Sequence, residues 1–138
     1  MASPAVRLPG PDHPITIRPT TARVVVTLGA ATLADSRAAL TLEEADYPAV
    51  QYIPRADVDM GALQRTAQAT HCPYKGDASY YAPVAAGEGA RSIAWSYETP
   101  HPAMARIAGY LAFYPDRVDI IERRQDTSAD AVPSRKPR

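Results

Sequence analysis

The sequence predicts a compact, mostly-β single domain of short antiparallel strands with one or two short helical turns. Three observations carry that expectation. Apolar and β-branched residues gather in short runs with a period of two, as in Arg23-Val24-Val25-Val26-Thr27-Leu28 and Ala39-Leu40-Thr41-Leu42-Glu43. Fourteen prolines and seven glycines interrupt 138 residues, which leaves room for strands but for few long helices. Turn residues recur at roughly the 8–12-residue spacing of sandwiches and barrels.

In chain order, residues 1–13 read as a flexible, proline-rich arm, 14–122 as the folded domain, and 123–138 as a polar, basic, disordered tail. Residues 23–35 read as a hairpin, because Gly29 in the first central position suits a two-residue type II′ turn. Residues 39–43 and 49–53 are the next strands, the second ended by Pro54. Asp57 is placed to cap a short helical turn running to Leu63, which Gly61 weakens. Residues 78–84 and 91–97 pair across Gly87-Glu88-Gly89. After Pro100-His101-Pro102, a helical turn is expected over 103–108. Residues 109–114 and 117–121 then pair across Pro115-Asp116. The total is about eight or nine strands, with no strand–long helix–strand alternation of a parallel sheet.

Composition narrows the function classes. Fifteen Lys and Arg balance fifteen Asp and Glu, whereas a nucleic-acid binder usually carries a basic excess. One cysteine excludes an internal disulfide and any site needing several thiolates, and a lone thiol fits a reducing cytoplasm. No run approaches the roughly 20 apolar residues of a membrane helix. Three histidines without ligand spacing give no metal signal. GxGxxG, GxxxxGK[ST] and GxSxG are all missing from the sequence. The expectation is a cytoplasmic protein with neither nucleic-acid nor membrane partners, of unknown cofactor and with no metal.

Three constellations carry possible chemistry. The first is His71-Cys72-Pro73-Tyr74-Lys75-Gly76. Pro73 biases Cys72 toward an extended backbone, and Pro73–Gly76 makes a turn. Cys72 is either a small buried hydrophobe or a thiol that Lys75, His71 or nearby amides activate. His71 is a poor base for it, since adjacent side chains in an extended segment point apart. The second is aromatic: eight tyrosines and one tryptophan against one phenylalanine, most in or beside expected strands. They fit either core packing with cross-strand pairs or an aromatic-lined ligand pocket. Tyr52, Trp95 and Tyr97 belong to this set, with Trp95 and Tyr97 on one strand face. The third is Arg55 near Asp57, either a local ion pair with a cap or a fork for a carboxylate or phosphate.

The order Tyr52-x-Pro54-Arg55-x-Asp57-Val58, Cys72-Pro73-Tyr74-Lys75-Gly76-x-Ala78-x-Tyr80, Ala94-Trp95-x-Tyr97-x-x-Pro100, Ile107-x-Gly109-Tyr110-x-Ala112-Phe113-Tyr114 resembles the bacterial family called domain of unknown function 427. The likeness runs from about residue 20 to 121. It implies a compact, mostly-β domain similar to the β-tent group, in which two small antiparallel sheets meet at an angle. That group includes B-type methionine sulfoxide reductases and the drug-binding domain of cereblon. This chain lacks the paired cysteines of their structural zinc. The family is also labelled nucleotidyltransferase-like, but glycine-serine followed by paired aspartates does not occur here.

The resulting expectation is a small molecule bound in an aromatic-lined pocket beside the Cys-Pro-Tyr-Lys-Gly turn, with Tyr52, Arg55, Tyr74, Lys75, Trp95 and Tyr97 as ligand-binding candidates. The alternatives are a thiol-dependent enzyme using Cys72, and a structural or homodimerising interaction domain.

Overall fold

A computed structural model describes residues 7–124; the expected arm and tail lie in part outside them. The described residues form a mostly-β unit of ten strands in three small antiparallel sheets. The first sheet holds β1 (Ile15–Pro19), β4 (Leu40–Glu44) and β5 (Val50–Tyr52), in the order β1-β4-β5. The second has β2 (Ala22–Leu28) between β3 (Ala31–Ser36) and β10 (Asp119–Arg124). The third runs β6 (Leu63–Cys72), β7 (Gly76–Pro83), β8 (Ala94–Ser96), β9 (Leu111–Phe113). Ile53 and Leu111 exchange both backbone hydrogen bonds at 2.8 Å, which sews β5 to β9 and makes the first and third sheets one continuous layer.

Local chemistry sets these elements. Gly29, at φ +59°, turns the chain between β2 and β3, as its freedom in the left-handed region allows. Proline cannot donate to a ladder, and Pro19 accordingly closes the edge strand β1. The expected strands are present with ends shifted by a few residues, whereas the sequence does not point to β1 and β6. The pairing expected between 109–114 and 117–121 does not form: Pro115-Asp116 carries the chain from one sheet to another, so that β9 pairs with β8 and β10 with β2. Thr66-Ala67-Gln68-Ala69-Thr70 in β6 is small and polar, so it offers no alternating signal. It is an exposed edge whose register slips between Arg65 and Ala69.

The expected helical turn after Pro100 is a 3-10 segment over Pro102–Ile107, kinked at Met104. The turn expected from Asp57 to Leu63 is instead two separate 3-10 turns, Arg55–Asp57 and Met60–Ala62, neither with a side-chain cap. The Asp57 carboxylate accepts from Ser36 Oγ at 2.7 Å and so is engaged with β3 rather than with the amides ahead of it.

The period of two becomes two cores. Ile53, Tyr81, Leu111 and Phe113 point to one face of the continuous layer, where they pack with Val24, Val26 and Leu33 of the second sheet. Their sequence neighbours Tyr52, Tyr80 and Ala112 point to the other face and pack with Leu40, Leu42, Tyr97, Met104 and Ile107. Burying each large apolar side chain contributes about 1.5–3 kcal/mol, so both faces hold the layer in place. Tyr80, Trp95 and Ala112 stand in line across β7, β8 and β9. The small Ala112 gives the neighbouring indole room.

Candidate functional site

The second core opens on one side into a hollow of about 250 Å³. Its polar end is built by the turn from Cys72 to Gly76. The Lys75 amide donates to Cys72 O at 3.2 Å, and Lys75 O accepts from the His101 amide at 2.9 Å. Gly76 sits at φ +113°, and a Cβ there would meet Pro100 Cα at 3.4 Å. The turn is thus wedged against Pro100-His101, and this fixes Lys75 with its side chain inward, 8% exposed.

Lys75 Nζ donates to Glu44 Oε1. It also lies 3.8 Å from Cys72 Sγ and 5.8 Å from the Tyr97 ring centroid. The other Glu44 oxygen accepts from His13 Nε2 at 2.7 Å. Burial pushes the Glu44 carboxyl up, but the hydrogen bonds and charges of Lys75 and His13 outweigh it and hold it below the usual carboxylate range. His13 stacks on Tyr74 at 4.0 Å between ring centroids, and the Arg7 guanidinium lies 5.5 Å from the same ring. The Arg7 amide donates to Pro73 O at 2.9 Å, so residues 7–13 strap the outside of the turn.

The rest of the hollow is aromatic. Trp95 Nε1 donates to Tyr52 OH at 3.2 Å, and the Tyr114 ring lies 4.7 Å from the indole. Tyr80 OH shares a 2.8 Å hydrogen bond with Thr70 Oγ1. Burial pushes the Tyr52 and Tyr97 hydroxyls far above the ordinary phenol value, with the negative field of Glu44 adding to it. Both therefore stay protonated and can donate. Tyr97 OH has no hydrogen-bond partner among the described residues. Tyr47, 63% exposed, stands at the mouth.

Of the residues singled out from sequence, Tyr52, Lys75, Trp95 and Tyr97 line this hollow together. Cys72 packs beside them against the same core. Tyr74 lies on the outer side of the turn, between His13 and Arg7. Arg55 is elsewhere: it crosses the Tyr81 ring at 5.7 Å, on the opposite face of the layer. Its expected ion pair with Asp57 is replaced by one with Glu98 at 3.0 Å, and Arg55 Nε donates to Gly109 O at 3.1 Å.

Glu98 also accepts from Tyr81 OH at 2.5 Å and from Ser79 Oγ at 3.2 Å, and it forms an ion pair with Arg65 at 3.2 Å. The Tyr81 hydrogen bond, opposed by burial and helped by Ser79 and the two arginines, holds its carboxyl below the usual range.

Sequence reasoning missed Glu44, Tyr80 and Tyr114 as lining groups. The signal for Glu44 was available: it follows Leu40 and Leu42 at a spacing of two, which puts a carboxylate on the buried face of a strand. His13 lies thirty-one residues from its partner and leaves no local trace.

The family model described as Domain of unknown function (DUF427) matches residues 16–124. The chain belongs to that family. No curated protein matches its sequence. The matched span of this DUF427 domain includes every residue lining the hollow, while His13 and the strap precede it. Among the described residues, no helix is long and apolar enough to cross a membrane, and no group of three or more His, Cys, Asp or Glu is placed to hold a metal ion.

Proposed function

We propose that this DUF427 domain binds a small molecule in the aromatic hollow beside the Cys72–Gly76 turn, and that it works in a reducing, cytoplasmic setting. The observation that carries the reading is Lys75: a lysine 6% exposed, held by Glu44 at the end of a hollow walled by Tyr52, Tyr80, Trp95 and Tyr97. Small-ligand sites combine a mostly apolar, aromatic wall with a few placed polar groups. Burying an ion pair rather than apolar side chains seldom benefits stability, so its presence asks for another reason.

The test uses the single tryptophan. In a screen of small ring compounds, binders move the Trp95 indole resonance and raise the melting temperature, and Trp95→Phe removes the first signal. A broad screen without either response would refute the reading.

A second reading, thiol chemistry at Cys72, is favoured by the 3.8 Å approach of Lys75 Nζ to Sγ. Its test is the rate of Cys72 alkylation against pH. A folded-state thiol that reacts only above its reference value, about 8.5, would exclude it.

A further inference from the structure

The polar inventory of the hollow narrows what it can take, and the inference rests on the binding reading above. Only Glu44 and Lys75 among the lining residues carry charge, and they are paired with each other. A cationic ligand would look for the carboxylate and an aromatic face. The carboxylate and the Tyr97 face beside it are already taken by the chain's own cation, since Lys75 Nζ holds Glu44 and lies over the Tyr97 ring. A cation entering there would meet Lys75 at close range with no second carboxylate to compensate it.

An anion fares no better. The ammonium is neutralised by Glu44, and the negative field of Glu44 reaches the hydroxyls of Tyr52 and Tyr97, where it disfavours their ionisation. A carboxylate brought to the same place meets the same opposition, on top of its desolvation cost.

What the hollow has in surplus is donors. The Tyr52 oxygen accepts from the Trp95 indole, which leaves its own O–H to give. Tyr97 OH is unpartnered among the described residues. Both Glu44 oxygens, the strongest acceptors present, are already occupied by Lys75 and His13. At about 250 Å³ the space is below the 300–1,000 Å³ of drug-sized pockets and suits a single ring with one or two substituents.

We propose that the hollow selects an uncharged, single-ring compound bearing a carbonyl-type acceptor, which receives hydrogen bonds from the hydroxyls of Tyr52 and Tyr97 while its ring lies among Trp95, Tyr80 and Tyr114.

Three probes of matched shape test this: benzamide, benzoate and benzylammonium, titrated at pH 7 and followed by the one tryptophan indole resonance. Compounds this small bind weakly, so the expected Kd for benzamide is about 1–10 mM. Benzoate and benzylammonium should be weaker by about tenfold or more, because each brings an uncompensated charge. Tyr97→Phe, which keeps the ring and removes the hydroxyl, should weaken benzamide by about 3- to 10-fold, the worth of one hydrogen bond.

Equal or tighter binding of either charged probe overturns the proposal while leaving the hollow a ligand site. An unchanged benzamide affinity in Tyr97→Phe overturns the assigned donor. Silence from all three probes up to about 50 mM, well past the expected Kd, overturns both the proposal and the binding reading beneath it.

Discussion

Replacing Lys75 by Met keeps the length of the side chain and removes its charge. Glu44 is then left with His13 alone inside the hollow. Removing one partner of a buried pair costs about 3–5 kcal/mol, most of it the isolated remaining charge. His13 still donates to Glu44, and the Glu44 side chain is 14% exposed, so the expected cost is at the lower end, about 3 kcal/mol. For a chain of this length that lowers the melting temperature by about 10 °C.

Glu44→Gln alone should cost about 2 kcal/mol, since Lys75 then holds an unpaired charge that a neutral amide only partly satisfies. The decisive variant combines the two. With neither charge present, the double mutant should lose about 2 kcal/mol less than the sum of the singles. Urea denaturation of the four proteins in one buffer gives the coupling energy directly. Strictly additive losses would show that the two groups are not energetically paired, and would remove the basis for treating them as a neutral unit.

Other outcomes follow from the same contacts. Glu44 and Glu98 both have carboxyls held below their unfolded-state value. The stability they add is therefore complete above the unfolded pKa, about 4.3, and is lost as pH falls through the lower folded values. Urea melts from pH 7 to pH 3 should show a plateau and then a decline, and Glu98→Gln should make that decline shallower. Gly76→Ala forces a Cβ into the left-handed region against Pro100 and should cost about 2–3 kcal/mol in a denaturation melt. At Gly29 the space is open, so Gly29→Ala should cost only about 1 kcal/mol. Leu111→Ala empties a fully buried position where β9 meets β5 and should cost about 2–5 kcal/mol, read the same way.

Much of the architecture is legible from local residues. The β-branched run Val24-Val25-Val26, the Gly29 turn and the alternation in Leu40–Glu44 act over a few positions, and their strands are where those patterns put them. Strand β6 is illegible for a physical reason: an edge with one partner can be made of Thr, Ala and Gln, whose side chains carry no alternating burial. The site divides in the same way. Trp95 in β8 and Tyr97 just past its end, two residues apart as the alternation requires, both line the hollow, and Lys75 enters it because a glycine turn aims it there.

Arg55 could not be placed from its neighbours. Its partner is Glu98 rather than nearby Asp57, and only the pairing of distant strands decides that. The same holds for Glu44 with His13 and Lys75.

The continuous layer acts as a septum. Tyr80 and Tyr81 are consecutive, yet one walls the hollow and the other helps clamp the second sheet. The same division separates Trp95 from Ala94 and Tyr52 from Ile53. Because successive residues of each strand serve different cores, a substitution on one side leaves the packing partners on the other side in place.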